Sequence, residues 1–564
     1  MTSPTPNSPQ SPCTTNTPAQ KSRACDRCRR RKAKCDFVDS ASDSDSVERC
    51  TSCREAGTQC TFDLPLARRG PKVRPRKSQV STAELVAPVA TQWESSTVDL
   101  GLSPPLMVSG DITSHQRWEN LSRSLAFITN NLQQFVTRCF DLFFEYLYPL
   151  TPLVHEPSLR DSLSYFTQFP SENFSTGVLE LWPETTFTLI TAVCAEAAFL
   201  LPKDLFPEGQ AVADIFLKAS RSCLNQYLEA ELENPNANSI TIRYFHSNCL
   251  HAAGKPKYSW HIFGEATRLA QVMQLNLETS LEGLQPIEAE LRRRAFWIVY
   301  MGDKSSAILN NRPITIHKFS FESGITTSYP SGIEDEAPVL SPGNLVTNSD
   351  LVRITCIEGF NANLRLWQNA SDILLELRLM QHRNQQDLGM SNLQPIISVQ
   401  EKDRLDALYV RFITCLDDLP PYLQSYTFAA LADGSRETTK QFLIQCANLQ
   451  VSIHCLRMVI TQKLENLPCY KSEIGHSDLR KTEIARDMLR VIQEAPFWSL
   501  QVNGEPYVEK IRLTGASLLE IIHRNGDSPI AARARSDFAV LLDLLTRLDS
   551  KASDALRNTS SLIH

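Results

Sequence analysis

The sequence predicts a mostly α-helical protein built from a small cysteine-based module, a flexible basic linker and a large all-α-helical domain. Three observations predict this fold class. Six cysteines recur at short spacings within residues 25–60, prolines and cationic residues follow at 63–80, and apolar residues spaced three and four apart dominate from about residue 116. We therefore divide the chain into four segments: 1–20, an N-terminus expected to be disordered; 21–62, the cysteine module; 63–115, the linker; and 116–564, the helical domain.

Charge is distributed unevenly along the 564 residues. The formal net charge of the whole chain is −6, yet residues 1–80 contain 16 Lys and Arg against 8 Asp and Glu, a net of +8 that leaves −14 for the rest. A basic N-terminal region followed by an acidic remainder predicts an N-terminal module that binds a polyanion and a separate soluble domain.

Cysteine usage and hydropathy point to a reducing compartment inside the cell. The N-terminal "MTSPTPNSPQSP" lacks the charged-then-apolar pattern of a secretory signal. The longest apolar stretch, "LITAVCAEAAFLLP", is about 14 residues long and contains Glu196, so it is too short and too polar to span a bilayer. We expect no membrane contact, and we expect the scattered cysteines to be reduced core residues.

The six clustered cysteines repeat one spacing twice. The pattern is C-x2-C-x6-C, then fourteen residues, then C-x2-C-x6-C. Six thiolates cannot form two independent tetrahedral zinc sites, but they can hold two zinc ions if two sulfurs bridge both metals. The first cysteine of each half, Cys25 and Cys50, is the natural bridging candidate. The predicted cofactor is thus a pair of zinc ions sharing six ligands: Cys25, Cys28, Cys35, Cys50, Cys53 and Cys60. A single four-cysteine site with two spare sulfurs, or an unrelated set of cysteines, is the alternative.

Cationic residues are interleaved with the first three cysteines in "CDRCRRRKAKC". Two zinc ions with six thiolates carry a formal charge of −2, which nearby Arg and Lys would offset while their charged ends face outward. The module is too short to bury a useful apolar core, so metal binding should supply most of its folding energy.

The segments "ACDRCRRRKAKCD" and "CTSCREAGTQCTF" resemble the fungal zinc binuclear cluster (Zn2Cys6) transcription factors. The resemblance implies a short helix and an extended segment in each half. It also implies that the basic helix enters the DNA major groove, typically at a CGG triplet. Lys32 then matches the base-reading lysine and Arg31 the adjacent cationic position, while Arg29, Arg30 and Lys34 match phosphate or supporting contacts. Guanine O6 and N7 accept from such donors.

Two charged segments flank this match. The loop 36–49 between the halves carries five acids and four serines. We hypothesise that its phosphorylation weakens DNA binding, against the simpler alternative of a solvated surface loop. The linker segment "LARRGPKVRPRK" could track phosphates, act in nuclear import, or simply stay extended. Its cationic residues are Arg68, Arg69, Lys72, Arg74, Arg76 and Lys77. No sustained heptad follows, so homodimer formation is left open.

Several helices of the large domain can be placed from the sequence. Residues 258–277 put Trp260, Phe263, Thr267 and Ala270 on one stripe, and the segment 442–460 has alternating spacings of four and three. Residues 286–309 open with Pro and Glu, which suit a helix N-terminus, have an apolar middle, "AFWIVYM", and must end before Pro313.

The large domain resembles the fungal-specific transcription factor domain, also called the middle homology region. The match lies in "FFEYLYPLTPLVHEPSL" and in 258–316, and the resemblance implies a regulatory role. Its matched residues are Trp260, Gly264, Ala266, Arg268, Glu290, Arg292, Arg293, Arg294, Phe296, Trp297, Asp303, Arg312 and Pro313. We expect Arg292–Arg294 to pair with carboxylates rather than with nucleic acid, and Trp260 and Trp297 to be core residues rather than ligand cages.

No motif of an enzyme is present. The chain lacks G-x-S-x-G, G-x4-G-K-[ST], H-E-x-x-H and G-x-G-x-x-G, and the trio His246, Cys249 and His251 is expected to be core or surface rather than a metal site.

The sequence therefore predicts a non-enzymatic, nuclear, zinc-dependent transcription factor for RNA polymerase II genes. Its expected partners are double-stranded DNA with CGG half-sites and the transcription machinery or co-regulators. The controlled genes would belong to a secondary-metabolite cluster or to nutrient catabolism. An RNA- or protein-binding zinc scaffold is the alternative.

Overall fold

The computed structural model describes residues 25–31, 35, 50–61, 113–167, 183–333, 356–387, 398–424, 436–465, 467 and 474–548. The chain divides into two compact units, one ending at Leu106 and the other beginning at Met107. The described residues contain helices and no strand, which confirms the mostly α fold class. The N-terminal segment, the loop 36–49 and the linker lie outside the described residues, and the four predicted segment boundaries remain predictions.

The small unit contains two short helices, α1 (Asp26–Arg31) and α2 (Thr51–Glu55), each of which begins directly after a cysteine. Glycine ends the second helix, because Gly57 has a φ of +63°, a left-handed conformation that favours glycine. Among the described residues of this unit, the buried apolar residues are four cysteines, with two more packed against them. A core made of sulfur alone cannot stabilise a fold by apolar burial, so the predicted dependence on metal is physically reasonable.

The large unit is a set of packed helices connected mostly by short loops. Its first helices are α3 (Ser114–Ser124), α4 (Leu132–Leu142), α5 (Glu156–Thr167), α6 (Pro183–Leu200), α7 (Gly209–Glu233), α8 (Ala237–Ala252), α9 (Pro256–Val272) and α10 (Pro286–Leu309). The later ones are α11 (Ile357–Asp387), α12 (Val399–Thr414), α13 (Pro421–Gln424), α14 (Arg436–Glu465), α15 (Ile474–Glu494), α16 (Phe497–Gln501), α17 (Gly504–Asn525) and α18 (Pro529–Arg547). A π-helical turn, Phe143–Leu147, follows α4, and short 3-10 turns form at Glu278–Leu281 and Lys318–Ser320.

Two hydrophobic clusters form the core of this unit. The first cluster is built mainly from α3 to α10, where α6 packs on α7 and α8, and α8 packs on α9. The second is built mainly from α11 to α18, where α14 packs on α11, α15 and α17. Helix α6 is buried on nearly every face, which agrees with its almost continuous apolar sequence.

Helix α10 follows its predicted bounds. It begins at Pro286, has Glu288 in its first turn, and ends at Leu309, before Pro313. The apolar middle, Ala295–Tyr300, is buried as predicted. Proline at the start fixes φ and lacks the N–H that would be unpaired there, so the sequence marks this end clearly.

Helix α14 also matches its predicted pattern. Five members of the predicted 442–460 stripe are buried and Ile453 is half-buried; the stripe is Phe442, Cys446, Leu449, Ile453, Leu456 and Ile460. Its segment Lys440–Glu465 is long and apolar enough to cross a membrane by length and composition, but 78% of the apolar window is buried inside the protein. Burial of this kind is what a core helix shows.

Candidate metal centre and DNA-binding surface

The structure brings the six predicted cysteines together as two overlapping groups of four. One group contains Cys25, Cys28, Cys35 and Cys50; the other contains Cys25, Cys50, Cys53 and Cys60. Within each group the sulfur atoms all lie within 4.8 Å of one another. Cys25 and Cys50 belong to both groups, which is the arrangement that the duplicated spacing predicts for two bridging sulfurs. It favours a shared cluster over one four-cysteine site with two spare sulfurs.

The sulfur–sulfur distances suit tetrahedral zinc. The Sγ of Cys25 lies 3.9 Å from that of Cys50 and 3.6 Å from that of Cys53, and Cys28 Sγ lies 3.7 Å from Cys50 Sγ. A zinc–sulfur bond of about 2.3 Å in a regular tetrahedron gives sulfur–sulfur edges of about 3.8 Å. Two tetrahedra that share the Cys25–Cys50 edge therefore fit these residues.

Backbone N–H groups point at the cysteine sulfurs. The Cys25 N–H donates to Cys35 Sγ at 3.4 Å, and the Cys50 N–H donates to Cys60 Sγ at 3.2 Å. Such bonds orient thiolate ligands and stabilise their negative charge. The same bond therefore recurs in both halves, between the first cysteine and the third.

The two shared cysteines differ from their neighbours in acidity. Burial raises the pKa of Cys25 and Cys50, but hydrogen bonds, led by those from the backbone of Cys28 and Cys53, leave both pKa values below the ordinary value. Burial raises the pKa of Cys28, Cys35 and Cys60 above the ordinary value. A divalent cation would stabilise the thiolate form of all of them.

Arg27 has a role that the sequence did not reveal. Its Nη1 donates to the carbonyl oxygen of Ser52 at 3.1 Å, and this bond joins α1 to α2. A second link between the halves is the Asp26 N–H, which donates to the Thr61 carbonyl at 2.8 Å. Arg27 is therefore placed to stabilise the module rather than to face a nucleic acid.

The structure describes only part of the predicted basic surface. Arg30 and Arg31 are exposed on α1, at the helix that carries Cys28. The side chain of Arg29, together with Lys32 and Lys34, lies outside the described residues, as do the six cationic residues of the linker. The DNA contacts predicted for these residues therefore remain predictions.

The alternative sites considered in the helical domain are accounted for by packing. His246 is buried and its Nε2 lies 2.8 Å from the Ser220 Oγ; Cys249 is buried beside it, and His251 is half-buried. Burial lowers the pKa of His246 to about 3, so the imidazole is neutral at physiological pH. Within the described residues these groups form no metal-ligand set.

The arginines of α10 pair with carboxylates, as predicted. Arg292 Nε lies 2.6 Å from a Glu288 oxygen, Arg293 Nε lies 2.9 Å from a Glu278 oxygen, and Arg294 Nε lies 3.0 Å from a Glu290 oxygen. Trp297 is buried and its Nε1 donates to the Ser328 carbonyl, as expected of a core residue. Trp260 differs from the prediction because it is only half-buried and lines a cavity.

Comparison with known families gives two matches in the order of the two units. Residues 23–69 match the fungal Zn(2)-Cys(6) binuclear cluster domain, and residues 140–406 match the fungal specific transcription factor domain. A cysteine cluster followed by a helical unit of this kind defines a zinc-cluster transcription regulator. The chain belongs to the fungal Zn2Cys6 transcription factors.

Individual relatives agree with this assignment at low identity. The aurofusarin cluster transcription factor aurR2 of Gibberella zeae is 26% identical over 225 residues, which are 39% of this chain and 30% of that protein. The maltose fermentation regulatory protein MAL13 of Saccharomyces cerevisiae is 23% identical over 290 residues, half of each chain. The citrinin biosynthesis transcriptional activator mrl3 of Monascus ruber is 23% identical over 357 residues, 54% of this chain and 63% of that protein.

The matched segments thus cover between 30% and 63% of the lengths of these relatives. The family and the relatives are transcription regulators rather than enzymes, which confirms the prediction that this chain is not an enzyme.

Proposed function

We propose that the protein is a zinc-dependent transcription factor that binds duplex DNA sequence-specifically, at CGG-type sites in the major groove. The observation that carries the proposal is the pair of cysteine groups sharing Cys25 and Cys50, with exposed arginines on the helix between them. Two zinc ions shared by the six cysteines would fix the direction of α1, so that its cationic residues meet the DNA together.

Recognition is divided between phosphate and base contacts. Arg30 and Arg31, exposed on α1, lie on the helix that would face the groove, and Arg29 and Lys34 are proposed to join them at phosphates. Lys32 is the residue proposed to donate to guanine O6 and N7, because it holds the family's base-reading position. Phosphate contacts position a protein on DNA, and base contacts specify the sequence.

Several finer features belong to the same proposal. A nuclear location follows from the function. The linker cations are proposed to track phosphates or to act in import, and a second copy of the chain and co-regulators are proposed partners. The similar proteins include regulators of aurofusarin and citrinin biosynthesis and a regulator of maltose fermentation, so secondary-metabolite genes and nutrient-use genes are the two classes of target proposed for this chain.

The proposal is tested by measuring DNA affinity of the full zinc-loaded chain by fluorescence anisotropy. The wild type and Lys32→Ala are compared on a CGG-containing duplex and on a scrambled duplex of equal composition. Loss of a base contact should cost about 1–3 kcal/mol on the CGG duplex and little on the scrambled one. Arg54→Ala, an exposed cation on α2, is the matched control and should keep the wild-type preference.

An equal loss on both duplexes would show that Lys32 is a phosphate contact and would contradict the proposed base reading. Equal wild-type affinity for both duplexes would contradict sequence-specific binding and would favour the RNA- or protein-binding alternative.

A further inference from the structure

The large unit contains a cavity of about 630 Å³ between its two hydrophobic clusters. Helices α6, α8, α9 and α10 contribute walls from one side, and α11, α14 and α17 contribute walls from the other. A volume of this size is typical of pockets that enclose drug-sized molecules. The cavity is therefore large enough to hold an organic ligand.

Much of the lining is apolar and aromatic. Trp260 and Phe263 are stacked with ring centroids 5.6 Å apart, and Trp367, Met301 and Leu147 are further members of the lining. These aromatic side chains give a ring-bearing molecule apolar surface to pack against, and the Arg312 guanidinium also lies 5.4 Å from the centroid of the Trp260 ring. These walls are suited to an apolar body rather than to a small hydrated ion.

Lys510 brings a buried positive charge to this lining. Lys510 is only 6% exposed, and its Nζ donates to Asn448 Oδ1 and to Ser452 Oγ, each at 2.8 Å. An ammonium has three N–H donors, so these two neutral acceptors leave one donor available. No carboxylate among the described residues pairs with this lysine. The ammonium also lies 5.6 Å from the centroid of the Trp367 ring.

The burial of Lys510 also shows in its acidity. Burial lowers its pKa to about 8, so the ammonium form still predominates at pH 7. The two acids of α17 in the lining are Glu505 and Glu509, and Glu509 pairs with Arg512 at 2.7 Å. A buried ammonium held only by neutral groups is a favourable partner for an anion.

Two further polar side chains of the lining are Asn363 and Glu196. Asn363 is 7% exposed and its Oδ1 has no hydrogen-bond partner, although its Nδ2 lies 3.1 Å from Met301 Sδ. Glu196 is fully buried, and burial raises its pKa to about 8, so its carboxyl is mainly protonated at pH 7. An orphaned buried amide oxygen costs free energy unless something pairs with it. A ligand that brings a hydrogen-bond donor would satisfy it.

We propose that this cavity binds an amphipathic organic anion, with its charged group on Lys510 and its apolar, ring-bearing body against Trp260 and Trp367. The cavity is part of the helical unit and is independent of the cysteine cluster. Because its walls belong to both hydrophobic clusters, an occupant also holds the two clusters together. This binding is expected with or without DNA.

The test uses two fluorescent probes that differ in charge, 1-pyrenebutyrate and its carboxamide, titrated into the full zinc-loaded chain. Wild-type protein should bind the carboxylate at least tenfold more tightly than the amide. Lys510→Met should reduce this preference to less than twofold, because methionine keeps an unbranched side chain only one atom shorter and removes the charge. Lys402→Met, at an exposed lysine of α12 outside the cavity, should keep the tenfold preference.

The Lys510→Met variant is expected to fold, because Ser452 Oγ lies 3.2 Å from Asn448 Oδ1 and the two can pair without the ammonium. If its circular dichroism shows that it does not fold, the comparison of the two probes on wild-type protein decides alone. Equal wild-type affinity for both probes, or no saturable binding of either, would overturn the proposal. A full carboxylate preference in folded Lys510→Met would overturn it as well.

Discussion

Cys25 and Cys50 differ from the other four cysteines because each belongs to both groups of sulfurs. In a cluster of two zinc ions, loss of a shared ligand would remove a sulfur from both metal positions, whereas loss of Cys28 would remove a sulfur from one. The structure therefore predicts that a substitution at Cys25 or Cys50 has a larger effect than one at any of the other four positions.

Zinc content should reveal this difference. We expect two zinc ions per wild-type chain, at most one in Cys28→Ala, and none in Cys25→Ala, because metal binding is expected to supply most of the folding energy of the module. Cys446→Ala, a buried cysteine of α14, should keep two. The measurement is zinc per chain by plasma mass spectrometry after dialysis. Equal zinc in Cys25→Ala and wild type would contradict a shared cluster.

Glu196 gives the large unit a pH-dependent stability of predictable sign. Burial raises its pKa from 4.5 to about 8, so the folded state holds a proton that the unfolded state releases. The stabilisation is complete below pH 4.5 and is lost as pH rises towards 8. Within this window Glu196 should lower the unfolding free energy by up to about 1.4 kcal/mol per pH unit.

The isosteric variant Glu196→Gln isolates this contribution. We expect its stability, relative to wild type, to increase from pH 5 to pH 8, as measured by the loss of helical circular dichroism in denaturant. Glu483→Gln, at an exposed position of α15, should show no such trend. A constant difference between Glu196→Gln and wild type would mean that Glu196 is already ionised in the fold.

Helix α10 carries a buried arginine that bonds both to its own helix and to two other segments. Arg294 is fully buried, and its guanidinium donates to Glu290, to the Tyr148 hydroxyl and to the carbonyls of Pro152 and Ser331. These bonds connect α10 to the segment after the π-helical turn and to the segment that follows the last 3-10 turn.

Arg294→Ala should destabilise the large unit by about 3–5 kcal/mol, because it leaves Glu290 buried without its main partner. Burial already raises the pKa of Glu290, and Arg294 acts against that rise. Arg490→Ala removes an exposed pair with Asp487 and should change stability by less than about 1 kcal/mol. Both values come from chemical unfolding curves. Similar small effects of the two variants would contradict a structural role for Arg294.

The elements that the sequence predicted best are those with local signals. Pro286 and Pro313 bound α10, and the alternating spacing from Phe442 to Ile460 marks the buried stripe of α14. Apolar residues three and four apart also run through 119–150, but this segment divides into α3, α4 and a π-helical turn, with Asn131 capping α4 through its side chain. Periodicity shows that a segment is helical, but it does not show where the helix is interrupted.

The cysteine groups could be predicted because their spacing is short and duplicated, whereas other site features depend on distant residues. Arg27 donates to the Ser52 carbonyl in the other half of the module, and no pattern in the sequence links these two residues. Lys510, Asn448 and Trp367 come from three helices far apart in the chain. Only the packing of those helices places the ammonium beside the cavity.

For the whole molecule, we propose that a basic zinc module directs an acidic helical unit to specific DNA sites. The net charge of +8 in residues 1–80 and −14 in the remainder is consistent with this division. Charge alone would bring the basic N-terminal part of the chain to any DNA, so the proposed specificity rests on the base contact proposed for Lys32.

The most direct test is genome-wide DNA occupancy of the wild type, Lys32→Ala and Arg54→Ala in the protein's own cells. We expect occupancy peaks at CGG-type sites, and we expect these peaks to disappear in Lys32→Ala and to persist in Arg54→Ala. One contiguous neighbourhood of peaks would indicate a biosynthetic cluster, and scattered transporter and hydrolase promoters would indicate catabolism. Peaks without a shared sequence, or CGG-type peaks that are unchanged in Lys32→Ala, would contradict the account.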